Sequence, residues 1–386
     1  MTFRGDTVRA AVLDGANADP RVVEFGAPTL TPGSALLATR YSEVCGTDVH
    51  IWRGRMPGVR FPMIPGHVSV GVLAASSRKL TDIDGKPFRD GDVVTFLDVH
   101  ETCNHCFQCL VAKNTTRCPH RRVYGITYGV EDGLLGGWSE VIWIKPGVKL
   151  VRMPPELDPE TFIGGGCGLV TAIHAMDRAD VRLGQSVVVL GAGPVGQSIT
   201  ALSSLSGAGQ VVTVGDPAAR LDFARRMGAT DTIGLDTPPP ERAAQVRRLT
   251  GGRGADVVIE ATGAPDAVSQ ALDLVRDGGR VVVCGQYADN GDTAINPHRQ
   301  INRKQVEVRG VWGSDYSHFH RAVALAARFG DRIPWRDQVS GGYPLERVKD
   351  ALEAVEAGGV LKALVVPGRA ERAAVSAPGK GRGTPA

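Results

Sequence analysis

The sequence predicts an α/β protein with two domains, a mostly β domain followed by a domain with a doubly wound parallel sheet. Two observations predict this class. From residue 187, short Val-rich runs alternate with stretches that carry apolar residues three and four positions apart, a pattern typical of buried parallel strands joined by helices. Before residue 150, short strand-like runs are separated by loops rich in Gly, Pro and Cys, which indicates an irregular β domain.

The predicted elements follow this alternation along the chain. Strands are expected at residues 187–190, 211–214, 257–260 and 281–284, and helices at 197–205, 218–227 and 266–275. A further strand at 306–312, helices at 318–329 and 345–357, and an apolar run at 363–366 come after them. We expect domains at 1–168 and 169–312, a return to the first domain at 313–368, and a tail at 369–386 too poor in apolar residues to fold.

Composition excludes several classes of protein. Of 386 residues, 42% are hydrophobic and 22% charged, which is ordinary for a globular chain with two cores. The 44 basic and 41 acidic residues leave a formal net charge of +3, too small to attract nucleic acid or a membrane surface. No apolar run approaches the roughly 20 residues that span a bilayer. We therefore expect a cytoplasmic protein whose partners are small molecules.

Four of the seven cysteines lie within sixteen residues, at Cys103, Cys106, Cys109 and Cys118. Thiolates at this spacing wrap a tetrahedral zinc ion and leave it no open position, so the pattern predicts a structural zinc site. Disulfides or free thiols are the alternative. The odd number of cysteines, and the lack of a run resembling a signal peptide in residues 1–30, favour zinc.

A glycine motif, Gly-Ala-Gly-Pro-Val-Gly, directly follows the predicted strand at 187–190 and opens a helix. This context predicts a dinucleotide-binding turn of the Rossmann type. Gly191 permits the tight turn, Gly193 lets a pyrophosphate approach backbone N–H groups, and Gly196 lets the helix pack closely on the strand. Pro194 fits the first helical turn, where its missing N–H costs nothing. A generic strand-to-helix turn is the alternative.

Asp216 lies twenty residues beyond Gly196, at the end of the next predicted strand. A carboxylate there accepts hydrogen bonds from both hydroxyls of the adenosine ribose and repels a 2′-phosphate. The sequence therefore favours NAD over NADP as cofactor, although the nearby Arg220 favours the phosphate. A turn or helix-capping role is the alternative for Asp216.

A second candidate zinc set consists of Cys45, His67 in a Pro-Gly-His segment, and Cys167 between two glycines. Two thiolates, one imidazole and a water are the ligands of a catalytic zinc ion with one position open to substrate. An inert buried thiol is the alternative for Cys167, and it is the expected state of Cys284 inside a predicted strand.

The order of these motifs carries a family resemblance. A cysteine, a Gly-His pair, the four-cysteine segment, a Cys-Gly-x-x-Thr segment and the glycine fingerprint follow one another as they do in the zinc-dependent medium-chain alcohol dehydrogenases, which the chain resembles from about residue 8 to 367. The resemblance implies a GroES-like catalytic domain, a Rossmann coenzyme domain, two zinc ions per chain and a homodimer or homotetramer. It also implies that Cys45, His67 and Cys167 hold the catalytic zinc.

The same resemblance assigns roles around this zinc. It implies that Asp48 orients the His67 imidazole, that Thr47 bonds the alcohol, and that His50 accepts the proton near the nicotinamide ribose. Turn or cap positions are the alternative for Thr47 and Asp48, and an ordinary surface imidazole is the alternative for His50.

The resemblance also assigns three cofactor contacts, and the sequence departs from the family pattern at two places. Thr171 and Val195 match residues that pack on the nicotinamide ring, and Lys362 matches a basic contact to the pyrophosphate. Val68 follows the ligand histidine where the family usually has Glu, a residue thought to ease the exchange of metal ligands. Eight residues, where seven are common, precede the last cysteine of the four-cysteine segment.

These inferences predict an NAD-dependent zinc alcohol dehydrogenase that oxidises a secondary, cyclic or polyol alcohol to a ketone or aldehyde. Zinc would act as a Lewis acid, and Thr47 and His50 would lead the proton away. Arg53, Arg55 and Arg60 favour an anionic or polyol substrate, with a solvated loop as the alternative. A reductase of activated double bonds or imines, which needs no such relay, and a non-catalytic scaffold are the alternative functions.

Overall fold

The protein is described here as a computed structural model over residues 6–77 and 80–368. The strands are β1 (Thr7–Val12), β2 (Arg21–Gly26), β3 (Ala35–Val44), β4 (Ser69–Ser76), β5 (Val93–Phe96), β6 (Val141–Ile144), β7 (Leu150–Arg152), β8 (Ser186–Leu190), β9 (Gln210–Gly215), β10 (Asp231–Gly234), β11 (Ala255–Glu260), β12 (Val275–Val283), β13 (Glu307–Gly310), β14 (Val339–Tyr343) and β15 (Lys362–Val365). The helices are α1 (Gly46–Trp52), α2 (Phe107–Leu110), α3 (Pro159–Ala179), α4 (Pro194–Leu205), α5 (Ala218–Arg226), α6 (Pro239–Leu249), α7 (Pro265–Leu274), α8 (Tyr316–Phe329) and α9 (Val348–Glu356). The tail predicted at 369–386 lies outside the described residues.

The first part of the chain is the mostly β, GroES-like domain. Its main sheet has seven strands: the order is β14-β15-β3-β4-β5-β7, and β6 also pairs with β3. β3 is the centre of this sheet because it pairs with β4, β6 and β15, all antiparallel. β1 and β2 form a separate antiparallel pair.

The second sheet is parallel throughout and has the order β10-β9-β8-β11-β12-β13. Val187, Val188 and Val189 of β8 are all fully buried, because helices cover both faces of such a sheet and leave no polar face for alternate residues. This is the predicted Rossmann sheet, and its strands overlap the predicted Val-rich runs. The strand order reverses beside β8, and a ligand crevice forms at such a reversal.

Helix α3 was not predicted, because its Gly164-Gly165-Gly166-Cys167-Gly168 run has the composition of a loop. It spans residues 159–179 and packs on α4 and α8. Its backbone leaves helical geometry at Gly166, where φ is 44° and ψ is −137°. The helix therefore bends directly beside Cys167.

The last strand, β15, belongs to the seven-stranded sheet of the first domain. β15 pairs antiparallel with β3, and Leu364 lies opposite Glu43 in the register. The chain thus re-enters the first sheet after the Rossmann part. Within the described ranges, 6–77 and 80–368, no helix combines the length and apolar character that a membrane crossing requires.

Candidate active site and metal centres

The three residues predicted to hold a catalytic metal come together. Cys45 lies between β3 and α1, His67 lies just before β4, and Cys167 lies at the bend of α3. Their ligand atoms and a carboxylate oxygen of Glu43 are all within 4.8 Å of one another. The Sγ atoms of Cys45 and Cys167 are 3.5 Å apart. Two thiolates bound at about 2.3 Å to a tetrahedral zinc lie about 3.8 Å apart, so this donor set fits zinc.

The electrostatics of the cluster favour one deprotonated sulfur, that of Cys45, whereas the bond to Cys45 and burial raise the pKa of Cys167 well above its usual range. The Cys167 thiol donates to the Cys45 sulfur, and this lowers the pKa of Cys45 to about 7 despite complete burial. Burial lowers the pKa of His67, but the Cys45 thiolate and Asp48 outweigh it and leave the pKa well above its usual range. The site thus gathers negative charge where a cation would sit.

Asp48 lies behind this cluster, on α1. Its Oδ2 accepts the backbone N–H of Cys45 at 2.9 Å. Its Oδ1 is 3.9 Å from Nδ1 of His67, and neither of these two atoms has a hydrogen-bond partner within the described chain. The carboxylate therefore faces the far edge of the imidazole ring, at a separation longer than a hydrogen bond.

Thr47 and His50 lie three residues apart on α1 and so share one face of that helix. Nδ1 of His50 is buried and has no hydrogen-bond partner in the described ranges. Burial and the neighbouring Arg55 lower the pKa of His50. The imidazole is therefore neutral near pH 7 and able to accept a proton.

The four-cysteine segment forms a second donor cluster. Its four Sγ atoms lie within 4.8 Å of one another, and none of the seven cysteines, all of them in described residues, forms a disulfide. Sγ of Cys103 and Sγ of Cys118 are 3.7 Å apart, close to the tetrahedral separation of about 3.8 Å for thiolates on zinc. Four sulfur donors complete a tetrahedron, so this cluster offers substrate no open position.

The glycine motif forms the turn from β8 into α4. Gly191 has a φ of 114°, and a Cβ there would meet the Ala261 carbonyl oxygen at 2.7 Å. A Cβ at Gly196 would overlap the Gly191 carbonyl, whereas one at Gly193 would meet nothing within 4 Å. Pro194 is the first residue of α4, with Gly193 at the N-cap. The turn is closed toward the protein and open at Gly193, as a pyrophosphate cradle requires.

Asp216 is exposed and directly follows β9. Arg220 is turned away from it: Nη2 donates to the carbonyl oxygens of Gly358 at 2.8 Å and Val360 at 3.2 Å. Burial lowers the pKa of Arg220, against the opposing charge of Asp216. The Asp216 carboxylate is therefore exposed at this turn, whereas the Arg220 guanidinium is bonded to the loop before β15.

Thr171 and Val195 are half-buried near the junction of α3 and α4. A Cβ at Gly168 would lie 2.8 Å from the Pro194 carbonyl oxygen, so the two helices nearly touch there. Thr171 follows Gly168 by three residues, and Val195 follows Pro194 directly. The structure thus places both residues near the metal ligand Cys167 and near the glycine turn.

Lys362, the expected basic contact to the pyrophosphate, lies beside Glu43 and the bend of α3. Its side chain is fully buried, and Nζ donates to Glu43 at 2.6 Å and to the Gly165 carbonyl oxygen at 2.8 Å. The ammonium group is enclosed by the metal cluster and the bend of α3. Two of the three N–H bonds of Nζ are thus directed at Glu43 and Gly165, and a contact between Lys362 and the pyrophosphate stays a prediction.

Glu43 is a site residue that the sequence analysis did not find. It is fully buried, with Oε1 3.5 Å from Nε2 of His67. The sequence did carry a signal, because an acidic residue stands two positions before Cys45 at the end of a strand. Its meaning depends on Lys362, which is 319 positions away in the chain.

Asp98 and Tyr287 come from separate segments, and both lie close enough to His67 to interact with its charge. Burial raises the pKa of the Asp98 carboxyl, against the charges of His67 and Arg121. Burial likewise raises the pKa of Tyr287, again opposed by Arg121 and His67. Trp312 stacks on Tyr287 with ring centroids 5.6 Å apart, and the Arg121 guanidinium is 5.0 Å from the Trp312 ring. No motif links these residues, so the sequence analysis did not single them out.

Comparison with known proteins was decisive for the family. Residues 31–155 match the family described as alcohol dehydrogenase GroES-like domain, and residues 194–328 match the one described as zinc-binding dehydrogenase. The 5-exo-hydroxycamphor dehydrogenase of Pseudomonas putida is 33% identical over 362 residues, which are 92% of this chain and 98% of that protein. The chain is a medium-chain dehydrogenase/reductase.

Solved structures of medium-chain dehydrogenases agree with this fold. An alcohol dehydrogenase from Thermotoga maritima superposes with a TM-score of 0.90 at 30% identity, covering 94% of this chain and 100% of its own. A zinc-binding dehydrogenase from Sinorhizobium meliloti, solved with NADP, superposes with a TM-score of 0.81 at 26% identity and the same coverage. The predicted family and the predicted combination of a GroES-like domain with a Rossmann domain are thus confirmed.

Proposed function

We propose that this medium-chain dehydrogenase is a zinc-dependent alcohol dehydrogenase that oxidises secondary alcohols with NAD. One observation carries the proposal. Cys45, His67 and Cys167 form a three-ligand donor set beside the reversal point of the Rossmann sheet. Three protein ligands are the number that leaves a zinc ion one position for a substrate. When bound, zinc would supply the Lewis acidity that makes an alcohol more acidic, and NAD would supply the hydride acceptor.

The chain's own residues then manage the proton. Thr47 and His50 lie on one face of α1, which begins immediately after Cys45. A hydroxyl both accepts and donates, so Thr47 can take the alcohol proton and pass one on. His50 is a suitable acceptor because its lowered pKa keeps it neutral, with an unpartnered Nδ1. Asp48 faces Nδ1 of His67 and favours the tautomer that presents Nε2 to the cluster.

NAD is favoured over NADP by the charges around the second strand of the Rossmann sheet. Asp216 is exposed after β9 and bears a negative charge where a 2′-phosphate would lie. Arg220, which would attract that phosphate, donates instead to the loop carbonyl oxygens of Gly358 and Val360. The Sinorhizobium meliloti dehydrogenase was solved with NADP, so our preference for NAD rests on these local charges and not on the fold.

We infer the substrate class from one similar relative together with the site. The Pseudomonas relative is named for 5-exo-hydroxycamphor, which is a secondary alcohol on a rigid ring system. Asp98 and Tyr287 feel the charge of His67 in this chain, and Trp312 stacks on Tyr287. We propose a ring-borne secondary alcohol, with a polar substituent for Arg121 to bind.

A panel of primary, secondary, cyclic and polyol alcohols, each with NAD and with NADP, tests this function by the absorbance of the reduced nicotinamide. The expected result is the highest kcat/KM for a cyclic secondary alcohol with NAD. Failure of every alcohol, with consumption of NADH on an enone or an imine, would favour the reductase function instead.

We also propose that the protein forms a homodimer, or a tetramer built from such dimers, through the outer edge of the Rossmann sheet. β13 is the terminal strand of that sheet, and its Val308 side chain is 48% exposed. An unpaired strand edge with an exposed apolar residue favours pairing with a second copy about a two-fold axis. Light scattering is expected to give a multiple of 40.8 kDa. A Val308→Lys variant should shift toward the monomer.

A further inference from the structure

A carboxylate reaches the three-ligand cluster from residue 43, while residue 68 is apolar. Val68, at the position where related enzymes usually have Glu, is 2% exposed and packs in the hydrophobic core. The backbone N–H of Glu43 donates to the Val68 carbonyl oxygen at 3.1 Å. Residues 43 and 68 are thus direct neighbours on adjacent segments. Residue 68 carries no carboxylate here, but its neighbour on the adjacent segment, Glu43, does.

The Glu43 carboxylate is at the distance of a ligand. Its Oε1 is 3.5 Å from Nε2 of His67, and it lies within the 4.8 Å cluster that contains Cys45 and Cys167. Nitrogen and oxygen ligands bound at about 2.0–2.2 Å to a tetrahedral zinc lie about 3.4 Å apart. Glu43 therefore lies where a fourth ligand would lie, and it is fully buried there.

The second oxygen of this carboxylate is restrained. Oε2 accepts from Nζ of Lys362 at 2.6 Å, and the backbone N–H of Cys167 is 3.1 Å from Oε1 and 3.2 Å from Oε2. Lys362 is also fully buried and donates to the Gly165 carbonyl oxygen, which the bend at Gly166 leaves free of the helix. These donors neutralise the carboxylate and make it a weaker ligand than a free one.

We propose that Glu43 is an exchangeable ligand of the catalytic metal and that Lys362 is a positioning residue that limits its affinity. Glu43 occupies the fourth position when no alcohol is bound and withdraws to Lys362 when an alcohol arrives. The charges support this exchange, because two thiolates balance a divalent cation and the ammonium balances the carboxylate. The inference rests on the proposed function, since it requires a metal at the three-ligand cluster.

The test uses the full chain with zinc in the four-cysteine cluster and cobalt(II) in the three-ligand cluster. Visible absorption of the cobalt reports its ligands directly, and competition with a chromogenic chelator gives the zinc affinity. Glu43→Gln is expected to change the cobalt bands and to weaken zinc binding by about 10- to 100-fold. Lys362→Met is expected to act in the opposite direction on zinc affinity and to raise KM for the alcohol, because the carboxylate is then harder to displace.

Glu260→Gln is the matched control. Glu260 is also a fully buried carboxylate that accepts backbone N–H groups, those of Thr262, Gly263 and Gly285, but it is not a member of the metal clusters in the described chain. It should leave the cobalt bands and the zinc affinity unchanged. If Glu43→Gln fails to fold, the double variant Glu43→Gln/Lys362→Met removes both charges, so that no buried charge is left without its counter-charge.

The outcomes separate the two proposals. A folded Glu43→Gln or double variant with parental cobalt bands and zinc affinity would overturn the role of Glu43. A parental protein that binds no metal at the three-ligand cluster would instead overturn the proposed function.

Discussion

The Arg220 guanidinium donates to the Gly358 carbonyl oxygen at 2.8 Å and so binds the first turn of α5 to the loop that leads into β15. This contact decides which charge faces the adenosine end of the cofactor. An arginine at this turn could bind the 2′-phosphate of NADP, but Arg220 is bonded to the loop instead. We therefore propose Asp216 as the residue that discriminates between the cofactors.

Replacement of Asp216 by Gly should therefore relax the preference for NAD. Removal of about 1.4 kcal/mol of repulsion toward the 2′-phosphate corresponds to a tenfold change in the kcat/KM ratio of the two cofactors. Steady-state kinetics with both cofactors measure it. Asp222→Asn, at another exposed aspartate of the same region, is the control and should leave the ratio unchanged. An unaltered ratio in Asp216→Gly would contradict the role of the carboxylate.

The pH profile of alcohol oxidation should depend on His50. Because burial and Arg55 lower its pKa, His50 stays neutral at neutral pH, and activity should fall only as the pH drops through this lowered pKa. His50→Gln removes the acceptor, so we expect kcat to fall by up to about 100-fold near neutral pH and by less at high pH, where solvent accepts the proton readily. The exposed His298 provides the control variant His298→Gln. A His50→Gln profile parallel to that of the parent would remove His50 from the relay.

The bend at Gly166 should not tolerate a side chain. A Cβ there would collide with the Glu43 carboxylate and the Lys362 ammonium, and φ is 44°. Left-handed strain costs an alanine about 1–2 kcal/mol and overpacking about 1–3 kcal/mol more, so Gly166→Ala should lower the free energy of unfolding by several kcal/mol.

Denaturant unfolding measures this loss, and Gly184→Ala separates its two causes. Gly184 has a φ of 81° with nothing within 4 Å of its added Cβ, so this variant carries the strain without the collision. Equal losses in the two variants would show that the collision contributes nothing.

Two zinc ions per chain are expected by elemental analysis, one at each sulfur cluster. Cys167→Ser should retain one ion and the fold but lose alcohol oxidation. Cys109→Ser should also retain one ion but lose stability, because a structural zinc site contributes directly to folding. The thermal midpoint of each variant distinguishes the two cases. One ion in the fully active parent would contradict the two-site expectation.

The Rossmann strands and the four-cysteine cluster could be predicted because their signals are local. The Val-rich run of β8 and the glycine turn that follows it carry their own physical reasons within a dozen residues. The bend of α3 could not be predicted, because its glycines indicate a loop until Glu43 and Lys362 are known to fill the space that a side chain would take. The ion pair between Glu43 and Lys362 was missed for the same reason, because it depends on the pairing of β15 with β3, which no local pattern reveals.

Helix α3 connects the candidate metal ligand Cys167 with the glycine turn at the start of α4. It holds Cys167 at its bend and, one residue later, contacts the start of α4 through Gly168 and Pro194. A displacement of α3 would therefore move a sulfur ligand and the cofactor cradle together. If the proposed function holds, we expect the separation between the donor carbon and the nicotinamide to depend on the position of this one helix.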